Sequence, residues 1–354
     1  MANGRSHGPA GWRAAWRALG VVVAAGLAAC SASSATPAGG KMVLRVGFFP
    51  NVTHSQALIG LARGDFAKAL GPEVEIKPVQ FNAGPSAIEA LFADEIDMTY
   101  IGPNPAINGY VQSKGEALRI IAGATSGGAA FVVRPEAGIH SPADLHGRKL
   151  ATPQLGNTQD VALRNYLIAQ GLDTVERGGD VEVVPTENSQ ILNLFKLGQI
   201  DGAWVPEPWA SRLIVEGGGQ LFLDERDLWP DGQFVTAHII ASPRLLKEHP
   251  DVVRAWLEAH VDVTQWEKDH PQEAQALLNS EIERLTGKKL DPQVLDLAWS
   301  RLEPTWDPVS SSLVASAEAA YHAGFLEAEP DLSGIYDLTL LNQVLEAKGE
   351  PAVH

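Results

Sequence analysis

Seven short segments carry the residues that could do chemistry. They are 50–55 (PNVTHS), 82–86 (NAGPS), 102–105 (GPNP), 125–128 (TSGG), 156–160 (GNTQD), 186–189 (TENS) and 206–209 (PEPW). They share Gly, Asn, Ser and Thr, and several stand where a helix would begin. A helix N-terminus presents unpaired N–H groups and a partial positive charge, which suits an oxyanion. Short hydroxyl and amide side chains add uncharged donors, and Gly84 and Gly156 let backbone approach closely. Any one such residue is as well explained as a helix cap; a site follows only if the segments converge. None of them contains Lys or Arg, so an anion would be held by neutral dipoles.

Catalytic patterns are missing. There is no G-x-S-x-G elbow, no GxxxxGK[ST] loop and no GxGxxG after a strand. The single cysteine, Cys30, excludes an intrachain disulfide and any multi-cysteine metal site. His54, His140 and His238 are too scattered to form a metal set, so no metal and no cofactor are expected. Glu187 and Glu207 could form an acid/base pair, but orienting neighbouring groups or closing a hinge is the simpler role. Trp209, between a strand end and a helix, is a candidate pocket wall.

These segments need a scaffold that brings them to one edge. From residue 42 the chain alternates short apolar strands with amphipathic helices. Residues 43–49, 74–81 and 97–101 read as strands, and 55–70 and 85–93 as helices with apolar residues on one face. After a shift of 104 residues the order recurs: strands 149–152, 181–185 and 201–205, helices 158–170 and 189–197. Ile96-Asp97 aligns with Ile200-Asp201, and Tyr100 with Trp204. Two β-α-β-α-β units predict an α/β fold of two Rossmann-like lobes. In such sheets, ligands sit beyond the C-terminal strand ends, where the seven segments fall. Residues 129–133 and 236–241 are candidate hinge strands. From Pro243 the chain reads as helical, with Pro250, Pro271 and Pro292 as starts or breaks, and is expected to pack on the first lobe. The expected domains are 42–128 plus 237–354 for lobe 1 and 129–236 for lobe 2.

The 354 residues are 45% hydrophobic and 20% charged, which fits a globular chain of about two domains. With 27 basic and 43 acidic residues the net charge is −16, which argues against nucleic-acid partners. Residues 1–29 carry Arg5, Arg13 and Arg17, no acid, and an apolar run from Leu19 that is too short to span a bilayer. This is the pattern of a signal peptide. It ends in Leu27-Ala28-Ala29-Cys30, similar to the bacterial lipobox, which implies acylation of Cys30 and a membrane anchor. Cleavage there would leave a net charge of −19, and residues 30–41 would form a flexible tether.

Residues 44–51 (LRVGFFPN), 81–86 (FNAGPS), 100–106 (YIGPNPA), 155–160 (LGNTQD) and 204–209 (WVPEPW) resemble the nitrate/sulfonate/taurine group of ABC-transporter substrate-binding proteins, in particular the aliphatic-sulfonate-binding branch. The resemblance runs from about residue 42 to 351. It implies a type II periplasmic-binding-protein fold whose lobes close over a small anion, an extracytoplasmic monomer, and a membrane permease with its ATPase as partners. By motif, Asn51, Thr53, His54, Gly84, Ser86, Asn104, Asn157, Thr158 and Glu207 fall where family members line the cleft. An aliphatic sulfonate is the expected ligand. Nitrate, taurine, a pyrimidine thiamine precursor, or an enzyme on the same fold are the alternatives. One departure stands out: sulfonate binders carry a hydroxyl-rich loop where this chain has residues 156–160. Asp160 beside an anion would be unfavourable, so either it points away or the ligand is not a simple sulfonate.

Overall fold

In the computed structural model, which describes residues 40–354, eleven strands form two sheets. The strands are β1 (Met42–Phe48), β2 (Val74–Gln80), β3 (Met98–Ile101), β4 (Arg119–Gly127), β5 (Ala129–Val133), β6 (Lys149–Thr152), β7 (Glu182–Pro185), β8 (Gly202–Pro206), β9 (Gln220–Asp224), β10 (Val235–Ala241) and β11 (Leu302–Pro304). The helices are α1 (Ser55–Arg63), α2 (Asp65–Leu70), α3 (Gly84–Phe92), α4 (Pro103–Gln112), α5 (Thr158–Ala169), α6 (Asn188–Lys196), α7 (Trp209–Val215), α8 (Pro243–Glu248), α9 (Pro250–Asp269), α10 (Pro271–Thr286), α11 (Pro292–Trp299), α12 (Ser310–His322) and α13 (Thr339–Lys348). The signal segment, Cys30 and all but the end of the tether lie outside the described residues.

The sheets have orders β11-β4-β10-β3-β1-β2 and β7-β6-β8-β5-β9. Apart from β11, which has no counterpart, they match strand for strand. In each, the middle of a parallel trio pairs with the other two (β2-β1-β3 and β7-β6-β8), and an antiparallel strand follows. That fourth strand, β10 or β5, arrives from the other lobe. The Ile-Asp repeat has a physical basis here. The Asp97 carboxylate accepts the Arg45 N–H at 2.9 Å, and the Asp201 carboxylate accepts the Lys149 N–H at 2.9 Å. Each aspartate, just before its own strand, ties that strand's start to its neighbour, at the middle of β1 and at the first residue of β6. Tyr100 and Trp204, three residues on, are both fully buried.

Strands β3, β8 and β10 are buried on both faces, so they read as apolar runs, whereas edge strand β2 alternates. Leu44, Val46 and Met98 pack with Trp256, Leu257 and Leu278 of the C-terminal helices, and Trp256 stacks on Phe66 at 3.8 Å. Pro243, Pro250, Pro271 and Pro292 all occupy first helical positions, where a missing N–H costs nothing.

Five readings need correction. The expected helix over 55–70 is two helices, because Gly64 adopts a left-handed φ of 75° that ends α1. Residues 125–127, read as a loop, are the end of β4. Val235 and Thr236, assigned to the second lobe, begin β10 and so belong to the first sheet. The C-terminal region does not pack on the first lobe alone: α12 lies against α5, and α11 against α7. It also contributes β11, a three-residue edge strand too short to leave a period-2 signal. The chain passes from β4 to β5 through Gly127 and Gly128, at φ of 72° and 81°. A Cβ at Gly127 would lie 2.6 Å from the Arg301 carbonyl oxygen, so this crossing needs glycine for both conformation and space.

Candidate functional site

Four helical N-termini point at one small cavity between the sheets. The 3₁₀ turn Val52–His54 opens α1, α3 follows Asn82 and Ala83, and α5 and α6 come from the second sheet. Asn51, Thr53, His54, Asn82, Asn157, Thr158, Gln159, Asn188 and Thr236 line it, with Phe49, Ala83, Gly102 and Pro206. The lining contains no Lys, Arg, Asp or Glu. Its volume is about 20 Å³, room for roughly one water, so the two walls are nearly in contact. Cross-lobe bonds that hold them include Trp209 Nε1–H donating to Asn51 Oδ1 at 3.1 Å, Asn82 Nδ2–H to Glu187 Oε1 at 3.2 Å, and Arg301 Nη1–H to Glu207 Oε1 at 2.9 Å. A Cβ placed on Gly102 of the first lobe would stand 2.3 Å from Thr158 Oγ1 of the second.

The donors are neutral. His54 is buried and stacks on Phe49 at 4.4 Å. Burial lowers its pKa to about 3, so the ring is uncharged. The Phe49 N–H donates to Nδ1 at 3.3 Å, which leaves the ring proton on Nε2. The Asn157 carbonyl takes the N–H groups of Asp160 and Val161, both at 3.0 Å. The N–H groups of Thr158 and Gln159 therefore have no intrahelical partner. Thr158 Oγ1 and Asn188 Oδ1 are buried and unpartnered.

Asp160 does not oppose an anion here. Its Oδ1 accepts from Thr152 Oγ1 at 2.8 Å and from Arg164 Nε at 3.2 Å, and its Oδ2 from the Gly156 N–H at 2.9 Å. With these three donors it shapes the loop from beneath.

The other expected residues are placed as follows. Asn51, Thr53, His54, Asn157 and Thr158 share the cavity wall. Glu207 is fully buried, with Oε1 on Arg301 and Oε2 on the Ser211 N–H at 3.0 Å, so its acceptors serve the lobe contact. Gly84 is a packing glycine: a Cβ there would meet Pro105 Cγ at 2.3 Å, which lets α3 lie close on α4. Ser86 Oγ–H bonds back to the Ala83 carbonyl at 2.8 Å. Trp209 reaches the site only through Asn51 and carries Arg212 over its ring at 4.6 Å. Asn104 donates to the Ser316 carbonyl at 2.9 Å and faces a different cavity. Asn82, Gln159 and Asn188 stood inside the seven segments without being singled out. Thr236 lay outside them, because β10 runs antiparallel and presents its N-terminal end to the cleft.

A family model described as NMT1-like matches residues 38–279. The chain belongs to the NMT1-like family. This NMT1-like protein is 26% identical over 330 residues to an aliphatic sulfonates-binding protein of Bacillus subtilis, covering 90% of this chain and 93% of that one. It is 26% identical to the taurine-binding periplasmic protein of Escherichia coli over 59% of this chain and 62% of that one. Among solved structures, the alkanesulfonate-binding protein SsuA of Xanthomonas axonopodis pv. citri, bound to MOPS, superposes with a TM-score of 0.71 at 20% identity, over 85% of this chain and 99% of that one. The fold is thus that of the periplasmic binding proteins, as the sequence resemblance implies.

A second cavity of about 290 Å³ lies beyond Thr158, which lines both. Its walls include Tyr166, Trp204, Trp229 and Phe234, and Glu225 lies among them. Among the described residues no helix is long and apolar enough to cross a membrane, and no three His, Cys, Asp or Glu side chains are arranged to hold a metal.

Proposed function

We propose that the NMT1-like chain is the extracytoplasmic solute-binding component of an ABC importer, that its ligand is an aliphatic sulfonate, and that binding closes the two lobes. One observation carries this reading: helix N-termini and neutral donors from both lobes meet at a single cavity with no charged side chain in its lining. Such a site pairs its free N–H groups with the oxygens of a small anion and forms no covalent bond to it. Because the donors come from both lobes, the ligand favours the closed arrangement by its differential affinity for it. The B. subtilis relative supports sulfonate over nitrate, and the position of Asp160 removes the objection that its charge would repel one. A thermal-shift series over alkylsulfonates, taurine, nitrate and pyrimidines tests the assignment. A ligand at 100 times its dissociation constant stabilises by about 2.7 kcal/mol, and nitrate or a pyrimidine outranking every sulfonate would overturn it.

We further propose that Cys30 carries the acyl anchor that keeps the protein at the outer face of the membrane, as a monomer beside its permease. Buried methylenes contribute about 0.8 kcal/mol each to such an anchor. Cys30→Ala should move the protein out of the membrane fraction. Equal partitioning of wild type and variant would refute the anchor.

A further inference from the structure

We propose that the 290 Å³ cavity is a second subsite for the same ligand, taking an organic group that bears a positively charged nitrogen, with the Glu225 carboxylate as its counter-ion and Tyr166, Trp204, Trp229 and Phe234 as its walls. The inference rests on the proposed function, since it assigns the far end of a ligand whose anionic end sits at the polar cleft.

Three observations carry it. First, the two cavities share Thr158 as a wall, and its hydroxyl is buried without a partner. The inner end, at Asn104, Thr158 and Val235, is buried, while Gln170 and Leu228 at the outer rim are exposed. A ligand whose anionic end parts the walls at Thr158 therefore has the second space directly beside it. Second, Glu225 is 3% exposed and has no Lys or Arg partner among the described residues. Its Oε2 accepts from Trp204 Nε1–H at 2.7 Å, and the neighbouring Asp224 is already engaged by Arg226. Third, the walls are aromatic. A carboxylate buried without a counter-ion is costly, and aromatic rings beside it attract a cation. An incoming ammonium satisfies both, where a plain alkyl tail would bury the carboxylate further. Burial pushes the Glu225 pKa up to about 7, the Trp204 and Trp229 indoles draw it down, and Asp224 raises it. The carboxyl thus lies within reach of ionisation by a nearby positive charge.

The test compares two sulfonates of one shape by calorimetry: trimethylammonio-propanesulfonate, and its carbon isostere with a tert-butyl group in place of the trimethylammonium. Methanesulfonate, which reaches only the polar cleft, is the third probe. Wild type should bind the ammonium compound about tenfold or more tighter than the isostere, and Glu225→Gln should erase that preference. Equal binding, or a preference for the isostere, overturns the subsite. Where methanesulfonate binds and the pair does not differ, the subsite alone falls. Where no sulfonate binds, the proposed function falls with it. The wild-type pair decides the matter even where Glu225→Gln fails to fold.

Discussion

Replacing Gly102 by alanine should block closure without harming the fold. Gly102 has φ −72° and ψ 160°, a conformation any residue adopts, so alanine brings no backbone strain. On unfolded-state grounds alone Gly→Ala adds about 0.4–1 kcal/mol of stability. The added methyl, however, falls 2.3 Å from Thr158 Oγ1 across the cleft, 1.1 Å short of the 3.4 Å at which ordinary contact begins. Either Thr158 turns its hydroxyl away or the lobes stay apart. Overpacking of this kind costs about 1–3 kcal/mol, which corresponds to roughly 5- to 150-fold weaker ligand binding. If closure follows ligand binding, as proposed, the free protein relieves the contact by keeping its lobes apart, and its melting temperature should not fall. Calorimetric titration in two backgrounds isolates the contact. Gly102→Ala should weaken sulfonate binding in wild type and cost nothing further in Thr158→Ala, where the obstructing hydroxyl is gone. Equal losses in both backgrounds, or none in wild type, would refute closure through this contact.

Three further outcomes are expected. Asn157→Ala with Thr158→Ala removes donors from one wall and should weaken binding by about 2–4 kcal/mol, on the scale of one or two buried hydrogen bonds left unmade; unchanged affinity by calorimetry would exclude this wall. Arg301→Ala leaves Glu207 buried without its cation and should cost about 3–5 kcal/mol in chemical denaturation, whereas a loss under about 1 kcal/mol would show that the pair does not hold the lobe contact. His54, depressed to about 3 by burial, is neutral throughout about pH 5 to 8. Its contribution to stability is therefore complete above its unfolded value of 6.5 and lost as pH falls from there toward 3. Methanesulfonate affinity should be flat across that window, and a rise on acidification would mean that a protonated His54 binds the anion.

Much of the scaffold was legible because it repeats. The Ile-Asp pairs at 96–97 and 200–201 mark the same bond to the first strand of each β-α-β-α-β unit, and their spacing alone aligns the two units. The site was legible in part. Residues 51–54 and 157–158 follow strands and open helices, which is a local pattern. Glu207 carries the same loop signature, yet its role depends on Arg301, 94 residues away, and no local pattern reports that. Thr236 was invisible for a topological reason: a strand that enters from the other lobe runs backwards and brings its first residues, not its last, to the cleft. The aromatic cavity lies between α5, α12 and the chain before β10, so only the packed structure assembles it.

Neutral capture of an anion between two closing lobes is tested most directly by titrating ethanesulfonate into the full-length protein at low and high salt, with small-angle scattering on the same samples. With dipoles as the only holders, affinity should change little with salt, or rise as the net charge of −16 is screened, and the radius of gyration should shrink on binding. A steep loss of affinity with added salt would place unseen basic side chains on the anion. A titration without binding, or an unchanged radius at saturation, would contradict capture by closure.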